Sequence, residues 1–294
     1  MPLELFVEDD QSDPTKVLSA YRILHDQKRI QFLIGGSWWL RSIITVTERD
    51  RLPLLSCETM YDKDFIPADT YFILNGRVAD WVKLYEPFFR ARGLRRGAAV
   101  SFTSGFSQTI VEEMQSIFSQ SGREFVGDFQ YQDLGCSQAS SLLLRLKIAR
   151  PDVVFVDGQP EGLTNLLRRR AELQLQSIPF VGHSALKTAF EQGLVSKELT
   201  KNLFFLGRKP PSSDFIDRFQ KKFGRSPQLS ADLGYYAVHM AARALKEPTP
   251  LVTLRSGMTV MGKEFVFDQN QVTTGITHQI YRVSEGGEVA PLEG

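Results

Sequence analysis

Continuous apolar runs that alternate with helical periods constrain this chain more than any other feature. Val153-Val154-Phe155-Val156 and Leu203-Phe204-Phe205-Leu206 carry no polar residue on either face. A strand of that kind must be covered on both sides, which parallel sheets between helical layers achieve. Leu3 to Val7, Ile30 to Ile34, Leu52 to Ser56, Tyr71 to Leu74, Ala98 to Phe102, Glu124 to Phe129 and Pro179 to Val181 read as further strands.

Helical periods fill the gaps. Asp13-Pro14 places an N-cap before a proline at the first helical position, and Val17, Ala20, Tyr21 and Leu24 follow at helical spacing. Further helices are predicted over Ser37 to Asp50, around Trp81, Leu84, Tyr85, Phe88 and Phe89, through Ile110 and Met114, and over Leu142 to Ile148. The last third reads as helices Ser213 to Phe223 and Ser230 to Leu245, then strands paired around a turn at Asp268-Gln269-Asn270. The fold class is therefore α/β. A length of 294 residues without a low-complexity linker suggests two similar lobes joined by close-set crossovers.

Composition excludes several functions. The 35 basic and 34 acidic residues nearly cancel, so no global field favours nucleic acid or an anionic membrane. The basic runs Arg90 to Arg96 and Arg168 to Arg170 read as solvated helix faces. Cys57 and Cys136 are the only cysteines, and neither stands at metal-ligand spacing, so no zinc site or disulfide framework is signalled. No apolar run reaches the roughly 18 residues of a membrane helix. "MPLELFVEDD" enters a strand without the basic and apolar regions of a leader.

In open parallel sheets, ligands bind beyond the carboxyl ends of the strands, where helix N-termini offer free N–H groups. The turns to search are Ile34 to Trp39, Ser56 to Tyr61, Thr103 to Ser107, Asp157 to Pro160 and Val181 to Ser184, rich in small and hydroxyl residues. None carries a nucleophile elbow, a P-loop, a dinucleotide fingerprint or a zincin helix. His183-Ser184 could be imagined as base and nucleophile, but no acid lies nearby in sequence to orient the imidazole. In "GGSWWLRS", Gly35 and Gly36 suit a tight turn, Ser37 an N-cap, Trp38 the ligand side and Trp39 packing.

"LFVEDDQSDPTKVLSAYRILHDQKRIQFLIGG" and "RLPLLSCETMYD", with "ARPDVVFVDG", "FIDRFQKKFGRSPQLSADLGYYAVHMAARALKE" and "KEFVFDQN" further on, resemble the type I periplasmic-binding-protein family. The branch is that of branched-chain amino acid binders and amide sensors, and the resemblance runs along essentially the whole chain. It implies two Rossmann-like lobes with parallel sheets and three hinge crossovers, near Gly76, Arg208 and Gly275, closing on a small ligand. Residues 1–77 and 209–273 would form the N-terminal lobe, and 78–208 and 274–294 the C-terminal lobe. The family normally begins with a strand and helix ahead of the piece matched by Leu3. That strand lies in the middle of its first sheet, so the resemblance implies a first strand-helix unit missing here.

Carried over by position, Ser37 and the N–H groups at Trp38 form one half of a cradle for a ligand carboxylate or amide. Glu58, Thr59 and Tyr61 belong to its second half, where Glu58 and Met60 depart from the family pattern. A carboxylate aimed at a ligand carboxylate repels it, so either Glu58 faces away or the ligand is not a simple amino acid. In the second lobe, Ser184 stands where amino-acid binders have the acid that receives an ammonium, and Phe106-Ser107 replaces Tyr-Gly. Either the amine anchor is lost or Glu58 or Asp157 replaces it.

The resemblance implies a non-enzymatic solute-binding protein of an ABC importer, taking a small amino acid-like, amide or aromatic carboxylate ligand and meeting a membrane permease. No cofactor, metal or nucleic acid is implied, and a homodimer is a further partner reading. A ligand sensor of the same fold, regulating a partner protein, is the alternative. A small α/β hydrolase using Ser184 or Ser37 is the third reading. The location is periplasmic, or that of an extracellular lipoprotein, if the true N-terminus carries a signal, and cytoplasmic if the chain is complete as given.

Overall fold

The computed structural model describes residues 3–11, 13–36, 38–60, 66–227, 230–274, 278–284 and 287–292, with Trp38 described by its backbone alone. Two compact units emerge. Unit 1 comprises Met1–Arg77 and Pro210–Ile276, and unit 2 comprises Val78–Lys209 and Thr277–Gly294.

Unit 2 is built on a seven-stranded sheet. In chain order its strands are β4 (Arg96–Phe102), β5 (Glu124–Tyr131), β6 (Val153–Val156), β7 (Phe180–Gly182), β8 (Leu203–Arg208), β11 (His278–Val283) and β12 (Val289–Pro291). Their spatial order is β12-β11-β8-β7-β6-β4-β5. The five strands from β5 to β8 pair in parallel, while β11 joins β8 antiparallel and β12 joins β11 antiparallel. Helices α5 (Gly105–Gln120), α6 (Ala139–Ala149), α7 (Pro160–Glu172) and α8 (Ser184–Glu191) follow successive parallel strands. Every residue of β6 is buried, as its unbroken apolar run requires. Val154, Val156, Phe180 and Phe205 pack with Leu142, Leu146, Leu163 and Leu166 of the helices in one core.

The same logic builds unit 1 on a smaller scale. Strands β1 (Leu33–Gly35), β2 (Leu54–Ser56) and β3 (Tyr71–Ile73) form a parallel sheet in that order. Helix α1 (Pro14–Arg22) is capped by Asp13, whose Oδ1 accepts the Thr15 N–H at 2.8 Å. Helix α10 (Ala231–Ala244) buries Leu233, Tyr236, Ala237 and Met240 in a core shared with Leu55 and Phe72. Val17, Tyr21 and Leu24 pack in another core with Leu33, Ile43 and Leu54.

The parallel sheets and helical layers agree with the α/β class read from the sequence, but four local expectations are corrected. Leu3 to Val7 is not a strand: Leu3, Leu5 and Val7 are 47%, 73% and 78% exposed. An extended segment is stabilised only by a hydrogen-bonded neighbour, and among the described residues β1 pairs with β2 and not with this segment. The helix predicted from Ser37 begins as a 3-10 helix over Trp38–Ile43 and becomes α2 only at Ile44–Arg49. The aromatic helix is two short ones, α3 (Val78–Val82) and α4 (Tyr85–Ala91).

The turn at Asp268 is real, with Oδ1 accepting N–H groups of Asn270 and Val272 at 2.8 and 3.0 Å and an antiparallel bridge between Phe267 and Thr273. Its flanking strands nevertheless take other partners. Residues of β10 (Lys263–Phe265) pair with β9 (Met258–Val260), and β11 pairs with β8.

Tight layer packing gives one prediction here. A Cβ on Gly182, at the end of β7, would lie 2.4 Å from Leu186 Cδ1 and 2.8 Å from the Val156 carbonyl oxygen. The carbonyl cannot retreat without breaking the ladder, so Gly182→Ala is expected to cost about 1–3 kcal/mol, measured by chemical denaturation. A loss below about 0.5 kcal/mol would show that the β7–α8 turn yields more readily than its contacts imply.

Candidate functional site

The strand order of unit 2 places the turns after β4, β6 and β7 side by side, because those strands are neighbours. Asp157 follows β6 at the carboxyl end of the sheet and is only 3% exposed. Its carboxylate has two partners: the Ser107 hydroxyl donates to Oδ2, and His183 Nε2 meets Oδ1. Ser107 belongs to the first turn of α5, whose N-cap Ser104 accepts the Ser107 N–H at 3.1 Å. His183 caps α8 with Nδ1, which accepts the Ala185 N–H at 3.3 Å.

These contacts fix the imidazole's protonation pattern. With Nδ1 accepting from the backbone, the ring proton sits on Nε2 and is donated to Asp157. Burial, the largest influence, pushes the Asp157 carboxyl up, but the electrostatic pull of the facing imidazole and the hydrogen bonds from His183, Ser107 and the Gly158 N–H together outweigh it and hold the carboxyl below the usual range.

A carboxylate–imidazole–hydroxyl chain is therefore present, supplying the acid that was not visible near His183 in sequence. It does not assemble a nucleophile. Nδ1, the nitrogen that would take the Ser184 proton, lies 3.4 Å from Ser184 Oγ and already serves as the helix cap.

Around this network the walls are aromatic. Phe106 sets its ring edge-to-face with His183, centroids 5.3 Å apart. The Tyr131 hydroxyl donates to the Asp157 carbonyl at 2.9 Å. Gly158 is required beside it, because a Cβ there would stand 1.7 Å from the Tyr131 oxygen. Of the residues singled out by sequence, Phe106, Asp157 and Ser184 are thus brought together. Ser107, Tyr131 and the role of His183 were missed. A polar residue at the end of an all-apolar strand, as at Asp157, is the signal that could have found them once adjacent strand order was considered.

The corresponding turn of unit 1 follows β2. Ser56 Oγ accepts the Glu58 N–H at 3.2 Å, and Thr59 Oγ1 accepts from Asn75 Nδ2 at 2.9 Å. Asn75 Oδ1 is buried with no partner among the described residues. Glu58 is half-buried, and burial pushes its carboxyl up to about 7 against a smaller lowering by the Arg41 charge. A protonated form is therefore accessible near neutral pH, able to donate as well as accept. Ser37 and Tyr61 lie outside the described residues, as does the Trp38 side chain; the Trp38 backbone opens the 3-10 helix beyond β1. Among the described residues no group of three or more His, Cys, Asp or Glu side chains could hold a metal ion, and no helix is long and apolar enough to cross a membrane.

Comparison with known proteins gives a consistent picture. Leu/Ile/Val-binding protein homolog 7 of Brucella abortus (strain 2308) is 24% identical over 200 residues, covering 59% of this chain and 49% of that protein. The homolog of Brucella suis biovar 1 (strain 1330) matches to the same extent, so the chain spans about half the length of these curated relatives.

Solved structures share the fold across nearly the whole chain. The leucine-binding protein LivK of Thermotoga maritima has a TM-score of 0.82 at 15% identity, with 99% of this chain and 87% of that one covered. LivJ of Streptococcus pneumoniae, solved with isoleucine, has a TM-score of 0.80 at 17% identity, covering 97% and 85%. An ABC-transporter solute-binding protein of R. palustris, solved with benzoate, has a TM-score of 0.79 at 16% identity, covering 97% and 83%. The relatives are solute-binding proteins rather than enzymes. With the sequence model described as "Periplasmic binding protein" matching residues 1–277, the chain belongs to the periplasmic binding protein family.

Proposed function

We propose that this protein is the solute-binding component of an ABC importer and captures a small carboxylate or amide that lacks an ammonium group, an aromatic acid fitting best. Capture would follow the hinge closure that the family resemblance implies, and delivery would be to a membrane permease from the periplasmic or extracellular side. The observation that carries the ligand class is the commitment of Asp157: its carboxylate is taken by Ser107 and His183, so it is not free to receive an ammonium. An amino-acid zwitterion would leave its cation without a charge partner in unit 2, which is costly in a water-poor site.

Three further features support the same reading. The Phe106 ring offers an apolar wall beside His183 and Ser184. Glu58 in its protonated form can donate to a ligand carboxylate, and the Thr59 hydroxyl, which accepts from Asn75, still has its own proton to give. Benzoate and isoleucine in the solved relatives span the two ligand classes to be separated.

Titration calorimetry at pH 6 with benzoate, benzamide and leucine tests the proposal. Benzoate or benzamide is expected to bind at least about ten-fold more tightly than leucine, a difference of about 1.4 kcal/mol. Tight leucine binding that survives Glu58→Gln would overturn the loss of the amine anchor.

A further inference from the structure

The near-cancelling charges of the chain are unevenly placed in unit 2. Its ligand turns lie at the carboxyl ends of the parallel strands, and at the amino ends, on the opposite edge of the sheet, the segments entering β4, β5 and β6 come together. Arg96 stands opposite Glu124 and Gly97 opposite Val153 in the parallel registers, so Arg95, Arg123 and Arg150 precede three neighbouring strands side by side. Backbone bonds hold that row. The Glu124 N–H donates to the Arg95 carbonyl at 2.9 Å and the Asp152 N–H to the Arg96 carbonyl at 2.8 Å.

Helix α6 ends at the same corner. Arg96 Nε donates to the Arg150 carbonyl at 3.1 Å and Nη2 to the Ala149 carbonyl at 3.0 Å, closing the last turn, which carries Lys147 and Ile148.

Charge does not balance here. Within these segments the acids are Glu124 and Asp152, and Arg96 already pairs with Glu124. Asp152 is half-buried and turns its oxygens to the Arg95 and Arg96 N–H groups at 2.7 and 2.9 Å. Exposed Arg95, Lys147 and Arg150, with half-buried Arg123, leave a positive surface. A helix C-terminus favours nearby cations, which accounts for Lys147 and Arg150 but not for Arg95 and Arg123, ahead of β4 and β5.

Aliphatic side chains share the surface. Ile148 is 80% exposed between Lys147 and Arg150, and Leu144, one helical turn earlier on the same face, is 49% exposed. A single exposed aliphatic is ordinary, but a pair at i and i+4 flanked by cations has the two chemistries of a bilayer interface: phosphates for the cations and an acyl boundary for the side chains. Nucleic acid offers the phosphates without that boundary, and its bases stack on aromatic rings rather than on leucine or isoleucine.

We infer that this corner of unit 2 is a membrane-surface contact: Arg95, Lys147 and Arg150 bind the phosphate headgroups of an anionic bilayer while Leu144 and Ile148 enter its acyl boundary. The contact lies at the opposite edge of the sheet from Asp157 and His183, so it leaves the ligand turns of unit 2 uncovered.

Co-sedimentation of the full chain with vesicles tests the contact. Binding to phosphatidylcholine vesicles containing one-third phosphatidylglycerol is expected to be at least about ten-fold tighter than to phosphatidylcholine alone, because each basic side chain at such a surface adds several-fold. Raising NaCl from about 0.05 M to about 0.5 M is expected to weaken it by a similar factor. Arg95→Glu with Lys147→Glu and Arg150→Glu is expected to abolish the preference for anionic vesicles. Leu144→Ser with Ile148→Ser is expected to lower affinity for them by about ten-fold, and both variants should keep the circular dichroism of the parent. Equal binding of the parent to the two vesicles, or undiminished binding by either folded variant, would overturn the inference. So would a short DNA duplex bound as tightly as the anionic vesicles and equally well by the serine variant, which would make nucleic acid the occupant.

Discussion

Replacing Asp157 with alanine is expected to lower the thermal midpoint of unit 2 by about 10 °C, taking a loss of about 3–5 kcal/mol and a few degrees per kcal/mol for a unit of this size. The loss arises because the Ser107 hydroxyl and the His183 Nε2–H both point at this carboxylate and would be left without an acceptor in a site where Asp157 and His183 side chains are 4% and 13% exposed. Asp157→Asn keeps one acceptor oxygen and is expected to lose less. The pH dependence has a definite sign. The Asp157 carboxyl is held below its ordinary value, so its contribution is fully present above the unfolded pKa of about 4 and disappears as pH falls through the folded value. The gap between wild type and the alanine variant should therefore narrow in acid. Scanning calorimetry from pH 7 down to pH 3 measures both effects; a shift under about 2 °C at pH 7 would mean that the network does not hold the turns together.

The sequence revealed the layers of this molecule better than its edges. Val153 to Val156 could be recognised as a buried parallel strand because burial on both faces leaves an unbroken apolar signature. Leu3 to Val7, apolar except for Glu4, is no strand, because apolarity states that a residue prefers cover while strand formation depends on a neighbouring backbone that composition does not reveal. The break between α3 and α4 was invisible for a related reason: Trp81, Tyr85, Phe88 and Phe89 keep helical spacing across it.

The turns of the candidate site were legible as strand ends of a parallel sheet, and the fold brings Phe106, Asp157 and Ser184, singled out from those turns and from the family resemblance, close together. Their chemistry was not legible. Asp157 and His183 are 26 positions apart and meet only because β6 and β7 are neighbours, so the acid that appeared free in the sequence is committed in the fold.

Glu58 gives the other large effect, with the opposite sign of pH dependence. Burial raises its carboxyl to about 7, whereas in the unfolded chain it titrates near the ordinary value of 4.5. A raised carboxyl favours the folded state fully below the unfolded value, and that stability is lost as pH rises through the folded value. Between pH 4.5 and pH 8 the penalty should grow to about 3 kcal/mol, since each unit of difference corresponds to about 1.4 kcal/mol. Glu58→Gln retains the shape and removes the titration, so it should be more stable than wild type at pH 8 by about 2–3 kcal/mol and indistinguishable at pH 4.5. Ligand affinity should follow the same group. A carboxylate ligand is repelled by ionised Glu58 and accepts a hydrogen bond from the protonated form, so benzoate binding to wild type should weaken as pH rises from 6 to 8, while the glutamine variant stays level. Denaturant melts and benzoate titrations at the same pH values separate the possibilities. If wild-type stability and affinity are both flat across this range, Glu58 is ionised throughout and cannot be a donor to the ligand; if only affinity is flat, the ligand does not reach the turn after β2.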